Sequence, residues 1–141
     1  MNALILAGGA MSPEDPLYAE GEQGSRSRID VQGKPMIQWV VDALDKAESV
    51  AELYVIGLSG EQNLTAHKTI HYLPDSGGIF ENIRDGVLQS AVDFPAQRKV
   101  LVASADIPAI QPAMVDWLAG QVAADLSPLI YYNICRYWHT R

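Results

Sequence analysis

The opening segment MNALILAGGAM (residues 1–11) contains the stretch that decides the fold. Residues 3–7 form an uninterrupted apolar run, which is typical of a strand covered on both faces in a parallel sheet. The run stops at Gly8 and Gly9. A Gly-Gly pair after a buried strand is either a tight turn or a place where backbone comes very close to a ligand such as a phosphate.

Apolar runs of this kind alternate with helical patterns along the rest of the chain. Further strands are predicted at residues 52–58, 69–74, 99–106 and 128–134, and helices at residues 35–47, 79–92 and 111–124. Spacings of three and four residues predict the inward faces of these helices: Ile37, Val40, Val41 and Leu44; Ile79, Ile83 and Val87; Met114, Trp117, Leu118 and Val122. The alternation predicts an α/β fold, a three-layer α/β/α sandwich with a mainly parallel sheet.

Composition limits the cellular setting and the class of partner. The 141 residues are enough for one domain, and the net charge of −7 argues against a nucleic-acid or anionic-membrane partner. The single cysteine, Cys135, excludes an intrachain disulfide and fits a reducing cytosol. No segment approaches the ~20 apolar residues of a membrane span. We therefore expect a cytoplasmic protein.

Three features are predicted to share one edge of the sheet, because ligands of open α/β sheets bind beyond the carboxyl ends of the strands. They are the Gly8-Gly9 loop, the turn at residues 75–78 and Asp106. Gly77 and Gly78 either serve packing or expose N–H groups to an anion. Asp106 either caps a turn or holds Mg²⁺, a hard cation that prefers oxygen ligands. Their convergence predicts a binding site.

Three segments carry a family resemblance: LILAGG at residues 4–9, GKPMIQWVVDAL at residues 33–44 and LVASADIP at residues 101–108. In order and spacing they resemble the nucleotidyltransferases that are similar to molybdenum-cofactor guanylyltransferase. The resemblance implies the Rossmann-like fold of nucleotide-diphospho-sugar transferases. Family domains are considerably longer, so residues 1–141 are expected to form a single nucleotidyltransferase-like domain whose C-terminal part is missing.

The resemblance also implies a set of site residues. Asp106 would bind Mg²⁺ and act in catalysis together with a basic residue of the long loop. The family's lysine position is taken here by Arg26, with Arg28 as a second candidate, and Lys34 is expected to be structural or peripheral. The nucleotide would be held by the residues of two segments: Leu6, Ala7, Gly8 and Gly9; and Gly78 and Asn82.

The implied activity is transfer of a nucleoside monophosphate from a nucleoside triphosphate to a phosphorylated or hydroxylated small molecule, with release of pyrophosphate. One alternative is a catalytically impaired nucleotide-binding or interaction domain from the same family. A dinucleotide-binding domain is a weaker alternative, because the chain lacks the G-x-G-x-x-G motif. The aromatic residues near the C-terminus either form a homodimer contact or pack back over the sheet edge.

Overall fold

The computed structural model describes residues 1–21, 24–58, 63–97, 99–124 and 130. In chain order, the elements are β1 (Asn2–Leu6), a 3-10 turn (Arg26–Arg28), β2 (Asp30–Val31), β3 (Lys34–Pro35), α1 (Met36–Lys46), β4 (Leu53–Ile56), β5 (Ile70–Leu73), α2 (Ile79–Asp93), β6 (Val100–Ser104) and α3 (Pro112–Ala124). The main sheet has four strands in the order β5-β4-β1-β6, all parallel, and β2 and β3 form a separate antiparallel hairpin. The predicted α/β fold is therefore confirmed.

Strand β1 lies inside the sheet, between β4 and β6, and its residues are largely buried, as its apolar run predicts. Its last residue, Leu6, pairs with Ile56 of β4 on one side and with Ser104 of β6 on the other. The ladder continues one step further at this edge, since Ala7 N–H donates to the Ile56 carbonyl and Ala105 N–H donates to the Leu6 carbonyl. The segments that follow β1 and β6 are thereby held side by side.

Helices cover both faces of the sheet and complete the three layers. Helix α1 packs on one face through the four residues that its spacing predicts, Ile37, Val40, Val41 and Leu44, all of which are buried. Helix α3 adds Val115 to the same core, and α2 packs on the opposite face against Leu4 and Ile56. Within the described residues, no helix combines the length and the apolar character needed to cross a membrane.

The predicted inward face of α2 is wrong at Ile79 and Val87, while the third predicted residue, Ile83, is partly buried. Ile79 is 61% exposed and Val87 is 36% exposed, whereas Asn82, Gly86 and Ser90 are the buried residues of the helix. A small residue every fourth position lets α2 lie very close to the sheet. At Gly86 the approach is so close that an added Cβ would lie 2.7 Å from the Ile56 Cδ1 atom. Close packing of backbone, rather than apolar periodicity, sets the orientation of this helix.

The predicted inward face of α3 is also wrong in part. Met114 is 50% exposed and Trp117 is 60% exposed, while Val115 is buried. The other two predicted residues, Leu118 and Val122, are partly buried. The rotation of α3 follows from Asp116, whose carboxylate accepts hydrogen bonds from the backbone N–H and the hydroxyl of Ser49 at 2.8 and 2.6 Å. A polar anchor thus turns Met114 and Trp117 outward.

Of the predicted strand at residues 128–134, only Ile130 lies within the described residues, and it is outside any strand. The C-terminal aromatic residues for which a dimer contact or sheet-edge packing is predicted lie outside the described part of the chain. Both expectations stay predictions.

Candidate functional site

A cavity of about 270 Å³ opens at the carboxyl edge of the sheet, between the segments that follow β1 and β6. Six of the predicted site residues line it together: Leu6, Ala7, Gly8, Gly9, Arg26 and Asp106. Five further residues that sequence reasoning did not select complete the lining: Ala10, Met11, Ser27, Ser104 and Ala105. Residues that are far apart in sequence therefore share one concave surface.

The glycine loop is packed against backbone on its inner side. An added Cβ at Gly57, whose φ is +93°, would lie 2.4 Å from the Gly8 Cα atom. Because Ala7 N–H already donates to the Ile56 carbonyl at 2.9 Å, this group is engaged in the sheet. Backbone donors for an anion in this segment must therefore come from Gly8 onward. Gly9 has a φ of +99°, a conformation that glycine adopts without strain.

The long loop at residues 10–24, which carries four acidic residues, is closed at its base, and this closure brings Arg26 to the cavity. Ala10 and Ser25 form an antiparallel bridge, and Met11 N–H donates to the Gly24 carbonyl at 2.7 Å. The bridge brings the 3-10 turn that begins at Arg26 next to the glycine loop, although sixteen residues of sequence lie between Gly9 and Arg26. The position of Arg26 next to the glycine loop therefore does not depend on the length of the loop between them.

Arg26 is paired with Asp15, a residue of the acidic loop. Its Nη2 atom lies 3.2 Å from Asp15 Oδ2, and the Arg26 side chain is half exposed. Asp15 is fixed in turn, since its other carboxylate oxygen accepts the N–H of Leu17 at 2.9 Å. An exposed pair of this kind contributes about 0–1 kcal/mol, so a polyanion can compete for the guanidinium. Arg28, the second candidate cation, does not line the cavity, and neither does Lys34.

Lys34 has a structural environment. Its ammonium group forms an ion pair with Asp42 and lies 3.6 Å from the centre of the Trp39 ring. The Trp39 indole N–H also donates to the Val31 carbonyl at 2.9 Å. These contacts fasten the β2–β3 hairpin to α1.

Asp106 is the carboxylate of the cavity lining. It lies in the turn directly after β6 and accepts a hydrogen bond from the hydroxyl of Ser104. The donor chemistry fits Mg²⁺, which takes one or two protein carboxylates and completes its octahedral shell with water and substrate phosphates. No cluster of three or more potential metal-ligating side chains occurs in the part of the chain that the structure describes. A cation here would therefore need oxygen ligands from substrate and water.

Gly78 and Asn82 are not part of the cavity lining but organise the neighbouring turn at residues 75–78. The buried Asn82 side chain accepts the N–H of Ser76 at 2.7 Å and donates to Asp75 Oδ1 at 3.0 Å. Hydrogen bonds from Gly77 N–H and from the Asn82 amide hold the pKa of the Asp75 carboxyl below its ordinary value, and Gly9 N–H makes a smaller contribution. The turn is thus a preformed unit.

Asp75 joins this turn to the glycine loop, and sequence reasoning did not select it as a site residue. A Cβ added at Gly8 would lie 2.7 Å from Asp75 Oδ2. The sequence gives one signal, the Asp-Ser-Gly-Gly run after a strand, but not the contact with Gly8. Ser104 gives a similar signal, because it lies two residues before Asp106 at a strand end. Nothing in the local sequence marks Ser27, which is buried in the 3-10 turn.

Fold and site together define an α/β protein with a cavity at the carboxyl edge of a parallel sheet, lined by a glycine loop, an arginine and an aspartate. The family model described as the MobA-like NTP transferase domain matches residues 3–136. The chain belongs to this family, and the resemblance noted in the sequence is thereby confirmed. The comparison with curated proteins gives no match.

Solved structures give the same result at the level of fold. A hypothetical transferase from Thermus thermophilus matches with a TM-score of 0.63 and 25% identity, covering 92% of this chain and 48% of that protein. A CMP:2-keto-3-deoxy-manno-octonic acid synthetase in complex with CTP matches with a TM-score of 0.60 and 18% identity, over 90% and 49% of the two chains. A Mycobacterium tuberculosis protein in complex with manganese has a TM-score of 0.59 and 13% identity, over 86% and 58%. This chain therefore spans about half the length of the first two structures.

Proposed function

We propose that this chain transfers a nucleoside monophosphate from a nucleoside triphosphate to a phosphorylated or hydroxylated small molecule, releasing pyrophosphate. The observation that carries the proposal is the shared cavity of the Gly8-Gly9 loop, Arg26 and Asp106. Membership of the MobA-like NTP transferase domain family supports it, as does the CTP complex of the synthetase that shares the fold. A cytoplasmic location, the setting expected from the single cysteine, is part of the proposal.

In this proposal the chain supplies position and charge. Gly8 and Gly9 carry no side chain that would keep phosphates away from the backbone, so phosphate oxygens can reach the Gly8 N–H, and the Gly9 N–H once it exchanges the Asp75 carboxylate for phosphate. The Arg26 guanidinium, released from Asp15, pairs with phosphate oxygens and stabilises charge on the leaving pyrophosphate. Both groups hold the α-phosphorus in place for attack by the acceptor oxygen from the side opposite pyrophosphate.

Asp106 is the proposed protein ligand for Mg²⁺. When bound, the cation draws charge from the phosphate oxygens and helps orient them. The manganese complex of the Mycobacterium tuberculosis protein supports a divalent cation, and we propose Mg²⁺ as the species used here. Asp106 lies on the same wall of the cavity as the end of β1, because Ala105 N–H is bonded to the Leu6 carbonyl at 3.0 Å.

Gly78 and Asn82 are proposed to serve the base and ribose end of the nucleotide indirectly. Both Asn82 amide atoms are engaged by the turn at residues 75–78. Asn82 would therefore act by shaping that turn, which lies against the glycine loop through Asp75.

One observation favours the alternative of a nucleotide-binding domain without transferase activity. Arg26 is paired with Asp15 rather than left to face the cavity alone. If this pair persists with nucleotide bound, phosphate would be held by backbone N–H groups and would lack the positive charge needed at the leaving group. Binding would then occur without transfer.

The proposal is tested by nucleoside triphosphate binding in the presence of Mg²⁺, measured by calorimetry, and by a pyrophosphate-release assay over a panel of acceptors. Arg26→Gln should weaken triphosphate binding by about ten- to hundredfold, the effect of losing a charged hydrogen bond to phosphate. Arg84→Gln is the matched control, because Arg84 is exposed on α2 and pairs with Asp85 outside the cavity lining. Equal effects of the two substitutions, or a folded protein that binds no triphosphate, would refute the assignment. Binding without pyrophosphate release from any acceptor favours the alternative.

A further inference from the structure

Ser104 is anchored at the carboxyl edge of the sheet. It is the last residue of β6 and pairs in register with Leu6 of the central strand. The next residue, Ala105, donates its N–H to the Leu6 carbonyl at 3.0 Å. The backbone on both sides of the Ser104 hydroxyl is therefore fixed relative to the glycine loop.

Asp106 has no such anchor of its own, because it lies in the turn that leaves the sheet. Its carboxylate accepts a hydrogen bond at Oδ1 from the Ser104 hydroxyl. Among the residues that the structure describes, no other hydrogen bond or ion pair to this carboxylate is present. One carboxylate oxygen is thus engaged by a fixed donor and the other is available.

We propose that Ser104 is a positioning residue, which orients the Asp106 carboxylate for a divalent cation. The inference rests on the proposed function, since it requires Asp106 to be the cation ligand. A hydrogen bond to one oxygen restricts rotation of the carboxylate and presents the second oxygen in a defined direction. Partners of this kind commonly change metal affinity by about ten- to hundredfold, and an exposed bond such as this one acts at the lower end.

The alternative role for the hydroxyl is to stabilise the turn alone. The chain offers a matched control for that role at Ser49, whose hydroxyl donates to the Asp116 carboxylate at 2.6 Å, away from the cavity lining. Ser104→Ala and Ser49→Ala remove the same chemical bond, a serine hydroxyl to an aspartate, at two places. Ser104→Thr keeps the hydroxyl and serves as the rescue variant.

The experiment is a titration of Mn²⁺ into the full chain with bound nucleoside triphosphate, followed by the electron paramagnetic resonance signal of free Mn²⁺. Ser104→Ala should weaken Mn²⁺ binding by about three- to tenfold. Ser104→Thr should restore it to within about twofold, and Ser49→Ala should leave it unchanged. Triphosphate binding in EDTA, measured in parallel, should be the same for all four proteins.

Three results would overturn the inference. In the first, Ser104→Ala binds Mn²⁺ as tightly as the wild type while Asp106→Asn loses Mn²⁺ affinity. This result would keep Asp106 as the ligand and refute only the positioning role of Ser104. Unchanged Mn²⁺ affinity in Asp106→Asn would refute the cation assignment within the proposed function, and the inference with it. A fall in the thermal unfolding midpoint of Ser104→Ala, with no change in Mn²⁺ affinity, would assign the hydroxyl to the turn and also refute it.

Discussion

At the scale of single residues, the site depends on how closely two stretches of backbone approach each other. Gly57 follows β4 directly and lies against Gly8, so Gly57 has no room for a side chain. Gly8 is also closed in by the Asp75 carboxylate. The glycine loop is therefore held in place by what surrounds it, and its own sequence is only part of its geometry.

Gly57→Ala should disturb this contact. Its φ of +93° and the 2.4 Å separation between the new Cβ and Gly8 Cα both oppose a side chain. We expect the free energy of unfolding to fall by about 3 kcal/mol and the triphosphate affinity to fall by about tenfold or more. Urea unfolding and calorimetry measure the two effects.

Gly33→Ala provides the control for backbone strain. Gly33 has a similar φ of +88°, but nothing lies within 4 Å of an added Cβ. The Gly33→Ala variant should lose about 1–2 kcal/mol in the free energy of unfolding and keep its triphosphate affinity. Equal effects at Gly33 and Gly57 on both quantities would show that contact with Gly8 is unimportant.

At the scale of elements, α2 and α3 contact their neighbours through residues that hydropathy does not select. Helix α2 uses Asn82, Gly86 and Ser90, and the Ser90 hydroxyl accepts a hydrogen bond from the Asn2 amide at 3.0 Å inside the core. Helix α3 is oriented by Asp116. In both cases, a small or polar residue contributes more to orientation than the apolar residues beside it.

A pair of glycine substitutions tests the close packing of α2. Gly86→Ala places a Cβ 2.7 Å from Ile56 Cδ1 and 3.0 Å from Leu4 Cδ1, both in the core, so overpacking should exceed the gain in helix propensity. We expect a net loss of about 1 kcal/mol in the free energy of unfolding. At Gly120 on α3, an added Cβ would have no atom within 4 Å, so Gly120→Ala should raise the free energy of unfolding by about 0.5–1 kcal/mol. Denaturant unfolding of both variants measures these changes. A stabilised Gly86→Ala variant would contradict the close packing of α2 on the sheet.

At the scale of the whole molecule, an excess of acidic groups is combined with carboxylates that stabilise the fold when ionised. The net charge is −7. Hydrogen bonds from the hydroxyl and N–H of Ser49 lower the pKa of Asp116, and those from Gly77 and Asn82 lower that of Asp75. These two carboxylates join separate parts of the structure, α3 to the segment after α1 and the turn at residues 75–78 to the glycine loop.

Stability should therefore fall in acid. Because the pKa of Asp116 is lower in the folded than in the unfolded chain, its contribution is fully present above the ordinary value of 3.8 and is lost as pH falls through the lowered one. Thermal unfolding of the wild type and of Asp116→Asn, measured from about pH 7 to about pH 3, checks this expectation. The difference in unfolding midpoint between the two proteins should become smaller below about pH 4. A difference that stays constant over the whole range would contradict the prediction.

How far sequence alone predicts this molecule depends on which interactions are local. The apolar run of β1 and its glycine stop are local signals, and they predict a buried strand and, together with Asp106, the edge of the sheet where the cavity lies. The place of Arg26 follows from the family resemblance instead. The inward faces of α2 and α3 depend on Gly86 and Asp116, whose partners are distant in sequence, so periodicity misplaces them. For the same reason, the contact of Asp75 with Gly8 could not be predicted.

The bridge between Ala10 and Ser25 has a practical consequence for engineering. Because the strand-like pairing closes the loop at its base, the cost of a longer loop is mainly its closure entropy, which rises only slowly with length. The largely exposed stretch at residues 12–20 can therefore accept an inserted peptide, such as an epitope tag or a fluorescent reporter, while the bridge keeps its register. A reporter at this position would be covalently tied to the segment carrying Asp15 and would respond when Arg26 changes partner.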